Sequence, residues 1–249
     1  MKTLLASRLW PLGLVLLAWP ASAQLLQPGW FSDARTGCKI WNTFPSTIEQ
    51  LAWTGECKDE YAEGKGVLQW ILAGKPMVKK YEGEMREGRM HGKGSLTFTN
   101  GDRYEGDFLE GERTGRGKIT WFNRNTSEGT WKDGLPDGRG TYEWIGGNSY
   151  SGEWVKGKQN GKGVFKFTNG NSYEGEFRDS VITGSGRYRW ANGNVYEGEF
   201  RNEQPHGEGS YKIYNTGQVY FGTWESGCLK QGTDMIAVNQ SEMACRLKR

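Results

Sequence analysis

Bulky, small and charged positions alternate along most of this chain, and the alternation itself recurs every 23 residues. Alignment on Tyr-Glu-Gly-Glu starts units at Tyr81, Tyr104, Ser127, Tyr150, Tyr173, Tyr196 and, one residue late, Tyr220. A more divergent unit begins at Trp53 and is followed by a five-residue insertion within 71–80. With the first aromatic counted as position 0, position 2 is glycine in every unit, from Gly55 to Gly222, and position 4 is bulky except for Cys57. Positions 11 and 13 form pairs such as Gly92/Gly94 and Gly184/Gly186, and positions 15 and 17 are bulky again, as in Phe165/Phe167. Alternation with period two predicts strands, with positions 0, 2, 4 and 13, 15, 17 on one face. Gly88, Gly111, Gly134 and Gly157 fall between the two runs, where a tight turn requires positive φ. Asn100-Gly101, Asn169-Gly170 and Asn192-Gly193 mark the links to the next unit. Each unit reads as a β-hairpin, and the regular period as a stack of about eight.

The register follows from a packing argument. If paired positions sum to 17, the glycine at position 2 faces the bulky residue at 15, and the bulky residue at 4 faces the glycine at 13. Glycines then act as notches that admit rings into a thin aromatic layer. The opposite face agrees, since Glu174 would meet Arg189 and Asp107 would meet Lys118, with only Glu128 and Glu143 like-charged.

Composition adds the compartment. Residues 1–23 carry Lys2 and Arg8 before an apolar run from Leu9 to Trp19 and end in Ala21-Ser22-Ala23. This is the pattern of a signal peptide, with Gln24 first after cleavage and a periplasmic or extracellular destination. Removing it lowers Lys+Arg from 32 to 30 against 29 Asp+Glu, close to neutral. That balance does not fit a nucleic-acid binder. Thirty-eight glycines with 12 tryptophans, 11 tyrosines and 10 phenylalanines suit short strands and many turns.

The recurring Tyr-x-Gly-x-[Phe/Trp], turn glycine and Gly-x-Gly-x-[aromatic/aliphatic] pattern over residues 53–232 resembles the MORN repeat family. The resemblance implies an all-β fold, an elongated single-layer antiparallel sheet of stacked hairpins. It also implies use in protein contacts, self-association or membrane-surface attachment. Trp53, Cys57 and Ser127 depart from the motif, and the last unit keeps Gly232 without a Gly-x-Gly pair.

Four cysteines in an exported chain point to disulfides. A stack of eight hairpins at ~4.8 Å per strand is roughly 75 Å long, which disfavours pairing between its ends. That favours Cys38 with Cys57 and Cys228 with Cys245, each pinning a terminal segment over an edge: a cap at 24–52 and another at 233–249 around the array at 53–232. Zinc is the alternative, though the cysteines lack paired short spacing and neighbouring histidines. His91 and His206 share one repeat position, no phosphate-loop motif is present, and the repeated acids read as a solvated face. The chain is therefore expected to be non-catalytic, without cofactor or metal, acting as a scaffold or adaptor for a protein partner or for itself. The alternative is an envelope-associated module for glycan or anionic lipid, using the ring row Trp121, Trp144, Phe167 and Trp190 and the basic row Lys93, Arg116, Arg139 and Lys162.

Overall fold

The computed structural model describes residues 28–33, 35–43, 49–72, 74–232, 234–238 and 245. The expected signal peptide, its cleavage site and most of the C-terminal segment lie outside them. A leading hairpin, β1 (Gly29–Ser32) and β2 (Lys39–Asn42), precedes β3 (Glu49–Trp53), β4 (Glu56–Lys58) and the long pair β5 (Tyr61–Leu72) and β6 (Lys75–Arg86). The array continues through β7 (Arg89–Thr97), β8 (Arg103–Leu109), β9 (Glu112–Thr120), β10 (Thr126–Lys132), β11 (Leu135–Glu143) and β12 (Ser149–Val155). Then come β13 (Lys158–Lys166), β14 (Ser172–Arg178), β15 (Val181–Arg189), β16 (Val195–Arg201), β17 (Gln204–Lys212) and β18 (Val219–Trp224). These form one 18-stranded sheet, antiparallel except for the parallel pairs Lys39–Tyr61 and Asp33–Leu51, and β19 (Cys228–Gln231) with β20 (Asp234–Ala237) forms a separate hairpin. The fold is all-β, as expected.

The hairpins from β6–β7 to β16–β17 each close on two residues of positive φ, for example Asp133 and Gly134 at 50° and 75°. Two left-handed residues make the turn that matches strand twist, and glycine supplies the second where available. The turns also staple neighbours, since the Gly111, Gly134 and Gly157 amides donate to the carbonyls of Met90, Arg113 and Pro136 one unit back.

The expected register needs correction. In β14–β15, Tyr173 faces Tyr188, Glu174 faces Arg187 and Gly175 faces Gly186, so paired positions sum to 15 rather than 17. After Gly175 the register shifts, and Phe177 faces Ile182. The two-residue turn sets a sum of 13 near the tip, and a bulge at positions 11 and 12 adds two. An error of two leaves every side chain on its assigned face, which is why the face prediction holds while the pairing does not. Glycine therefore meets glycine, and ring meets ring. Glu128 faces Thr141 and Lys118, so the anticipated like-charge clash with Glu143 does not arise.

The notches are real, but the ring that fills them comes from two residues along the same strand. A methyl group on Gly186 would lie 2.6 Å from both Cε2 and Cζ of Tyr173 and closer still to its hydroxyl. The Gly-Gly pair is thus the floor on which each position-0 tyrosine lies flat. Tyr81, Tyr104, Tyr150, Tyr173 and Tyr196 are all buried. Their hydroxyls donate to the position-3 carbonyl beside the bulge, at 2.7 Å from Tyr81 to Glu84 and 2.9 Å from Tyr150 to Glu153. The phenol thus satisfies an acceptor at the point where the ladder breaks.

The cysteines pair as expected. Cys38 pairs with Cys57 and Cys228 with Cys245, with Cα separations of 5.8 and 5.7 Å. Buried Asp33 accepts the amides of Arg35, Thr36 and Trp53, tying the leading segment to β3. At the far end Leu229 and Val238 join the core beside Trp224.

Candidate functional site

Two surfaces follow from the register. On the aromatic side, edge-to-face contacts run from unit to unit: Tyr150–Phe177, Phe177–Tyr173, Tyr173–Phe200, Phe200–Tyr196 and Tyr196–Trp224, with centroids 5.1–5.3 Å apart. This inner ladder is closed to solvent, and burial pushes the phenols of Tyr104 and Tyr150 up to about 12. It is interrupted once, at Ser127, and the core divides there into two clusters.

Beside it runs an outer ladder made by positions 15 and 17. Trp121–Tyr142–Trp144–Phe165–Phe167–Tyr188–Trp190–Tyr211 are linked at 4.3–5.8 Å. Trp121, Trp144, Phe167 and Trp190 are therefore brought into one continuous row, each half-buried, packed below and open above. The row is fixed at the loop edge by a column of Asn and Asp at two residues before position 0. Asn171 accepts the Ala191 amide at 2.9 Å and donates to Tyr188 Oη at 2.9 Å, and Asn194 does the same for Tyr214 and Tyr211. Asp102, Asn125 and Asn148 accept the corresponding amides of Phe122, Ile145 and Thr168. Sequence reasoning missed this column, although Asn125, Asn148, Asn171 and Asn194 recur with the same period of 23.

The polar face forms a trough of about 1840 Å³ running from Lys93 to Phe221. Its floor is backbone at the glycine pairs, and its walls are charged residues of both signs. Some are matched across strands: Lys93 with Asp107 at 2.8 Å, Lys118 with Glu128 at 3.9 Å and Arg187 with Glu197 at 3.8 Å. Lys93 and the Arg116 amide together hold the Asp107 carboxyl below its usual range. The position-3 acids are otherwise committed to the bulge, because Glu153 and Glu176 fold against Gly161 and Gly184. As a result the side-chain cations of Arg139 and Lys162, which face Glu153 and Glu176, have no carboxylate within 4 Å among the described residues, and neither has the Arg116 guanidinium, which faces Thr130. Position 12 carries the row, and its spacing along the sheet is two strands, ~9.6 Å.

Among the described residues no cluster of three or more His, Cys, Asp or Glu is placed to hold a metal, and no helix is long and apolar enough to cross a membrane.

No curated protein matches the chain. Among solved structures it is similar to the SAS-4 (dCPAP) TCP domain of Drosophila melanogaster in complex with a proline rich motif of Ana2 (dSTIL). Identity is 16% and the TM-score 0.40, over 72% of this chain and 94% of that one. The MORN repeat profile matches residues 81–103, 104–126, 128–149, 150–172, 173–195 and 196–217, in phase with the units read from the sequence. These six consecutive matches cover more than half of the chain, which belongs to the MORN repeat family.

Proposed function

We propose that the chain is an exported, non-catalytic scaffold that holds a protein partner, or a second copy of itself, along the polar trough. The observation that carries this reading is the row Arg116, Arg139 and Lys162, whose side-chain cations are left without carboxylates along a long open channel. A polyproline II segment has three residues per turn and rises ~3.1 Å per residue, so acidic side chains at every third residue share one side and match a cation spacing of ~9.6 Å. The fitting partner is an extended acidic segment. Two disulfides suit a chain that matures in an oxidising compartment, in keeping with the leader pattern at 1–23. Repetition of the same polar groups in every unit supports a binding rather than a catalytic role, because catalysis needs unlike groups converging on one place.

Cross-linking in cells followed by identification of captured proteins tests this, with R116E/R139E/K162E as the comparison. The expected result is a defined partner or oligomer that the triple variant loses. A strictly monomeric protein that captures nothing refutes it. The open upper side of the outer ladder supports a second reading, attachment to an envelope glycan or an anionic lipid surface.

A further inference from the structure

Template positions in a repeat protein are explained by packing against sibling units, so a residue found in one unit alone requires its own reason. Two such departures, Arg113 and Ser127, meet on the aromatic side between the third and fourth units, where the aliphatic run of position 15 also ends. Position 9 is Ala62, Met90, Pro136, Ile182, Pro205 or Leu229 in six siblings and the uncharged Gln159 in the seventh, but is Arg113 here. Position 15 is a ring in the four units that follow and is the last aliphatic here, Ile119 after Leu68 and Leu96. Position 0 of the adjoining unit is Ser127, which pairs directly with Ile119. The smaller side chain at 119 accompanies a cleft of about 410 Å³ lined by Phe98, Ile119 and Trp121, by Arg113, and by Thr99, Asn100 and Asp102 of the β7–β8 loop.

The chemistry of that cleft is lopsided. The Arg113 guanidinium lies 5.0 Å from the Trp131 ring, 5.5 Å from Tyr104 and 5.6 Å from Phe98. Its one hydrogen bond is to the Gly134 carbonyl at 2.6 Å, and no carboxylate is within ion-pair distance among the described residues. An arginine offers five N–H groups in a planar fork suited to a carboxylate. Contact with the rings accounts for the cation's position and leaves most of those donors unused. Asp102 lines the same cleft but is held by its own loop, accepting from the Phe122 amide at 2.8 Å and from Asn100 Nδ2 at 2.9 Å. Its two oxygens retain capacity for a hydroxyl donor, while its charge disfavours a second anionic group there.

We propose that this cleft binds an acidic sugar: a uronate whose carboxylate pairs with Arg113, whose apolar face stacks on Trp121, and whose hydroxyls donate to Asp102. A carboxylate, a flat apolar face and hydroxyl donors within one small ring answer all three walls of the cleft. The assignment rests on the glycan reading above and fixes its chemistry, and it is independent of the polar trough on the other face.

The test is calorimetric titration of the full chain with galacturonate and glucuronate oligomers, against neutral glucose oligomers. Two variants borrow residues from sibling units and so suit the fold: R113M, which copies Met90, and I119Y, which copies Tyr142 and fills the cleft. Saturable binding of a uronate oligomer, weakened more than tenfold by either variant and absent for the neutral sugar, is the expected result. Equal binding by wild type and R113M, neutral oligomers binding as tightly, or no uronate binding at all overturns the proposal. Sedimentation with whole envelope material that survives R113M would leave the glycan reading standing and still overturn this site.

Discussion

Gly186→Ala and Gly140→Ala make the same chemical change at the same repeat position, and the structure assigns them different consequences. At Gly186 the new methyl group would sit 2.6 Å from two carbons of Tyr173, well inside contact distance, so the ring must move by about 1 Å to reach ordinary van der Waals separation. It has nowhere to go. Phe177 and Phe200 hold it edge-on with centroids 5.2 and 5.1 Å away, and its hydroxyl donates to Glu176 at 3.1 Å. Two ring contacts at ~0.5–1.5 kcal/mol each and a hydrogen bond of ~0.5–1.5 kcal/mol place the loss at roughly 2–4 kcal/mol. At Gly140 no tyrosine lies above; the nearest atoms are Glu128 O at 3.0 Å, Gly129 Cα at 3.3 Å and Trp154 Nε1 at 3.5 Å. There a small steric penalty is offset by the ~0.5–1 kcal/mol that alanine gains over glycine within a strand. Urea unfolding followed by tryptophan fluorescence should show G186A less stable than G140A by at least ~2 kcal/mol, with accelerated hydrogen exchange in β14 and β15. In a Tyr173→Ser background the penalty of G186A should nearly vanish. Equal midpoints for the two single variants would refute the idea that glycine pairs exist to seat tyrosine rings.

Asn171→Ala removes an acceptor for the Ala191 amide and a donor to Tyr188 at once. It should lower stability by ~1–2 kcal/mol and deprotect the Ala191 amide in hydrogen exchange, while leaving Asn194 and its partners unchanged. Alkaline pH should act on the inner ladder. Burial raises the pKa of Tyr104 and Tyr150 from 10.0 to about 12, so the folded chain retains protons that the unfolded chain releases. Stability is therefore fully present below pH 10 and declines as pH rises toward 12. Absorbance at tyrosinate wavelengths should show these phenols ionising together with loss of far-UV structure rather than ahead of it.

Period, strand faces and turn glycines were legible because each is set by residue type at a fixed spacing, and the disulfide partners because the length of the stack keeps its ends apart. Pairing within the hairpin was not, for a definite reason. A bulge of two residues changes which positions meet without changing which face they occupy, so alternation alone cannot detect it. The signal was present in Gly184 and its equivalents: a glycine that packs no ring on the inner face marks a positive φ of 59°, not a notch. The asparagine column was equally visible as a periodic polar residue, but its function depends on contacts between neighbouring units. Sequence offsets within one unit do not reveal such contacts. Trp121, Trp144, Phe167 and Trp190 share one face in either register, because a shift of two keeps every side chain on its side of the sheet.

The fourth unit shows how tightly these positions are coupled. With Ser127 in place of tyrosine, the ring that should separate Trp131 from Trp154 is gone, and both flanking residues are indoles where the other tyrosines have at least one phenyl neighbour. Their Nε1 atoms donate to the Gly117 and Gly140 carbonyls at 3.0 and 3.3 Å, as Trp224 does to Gly209, and at Gly140, where no phenol lies, the Trp154 indole is the side chain nearest the floor. The absent hydroxyl is replaced as well. Where Tyr81 and Tyr173 also reach the position-10 carbonyls of His91 and Thr183, Thr130 donates to the equivalent Asp137 carbonyl at 2.6 Å from the opposite face. Threonine at this position removes the acid that siblings carry, and so leaves Arg116, which it faces, without a carboxylate. One substitution on the buried side is thus linked, through the bulge, to an unneutralised cation on the trough side. The two surfaces of a single-layer sheet cannot vary independently, because each glycine pair is at once the seat of a ring and the floor of the trough.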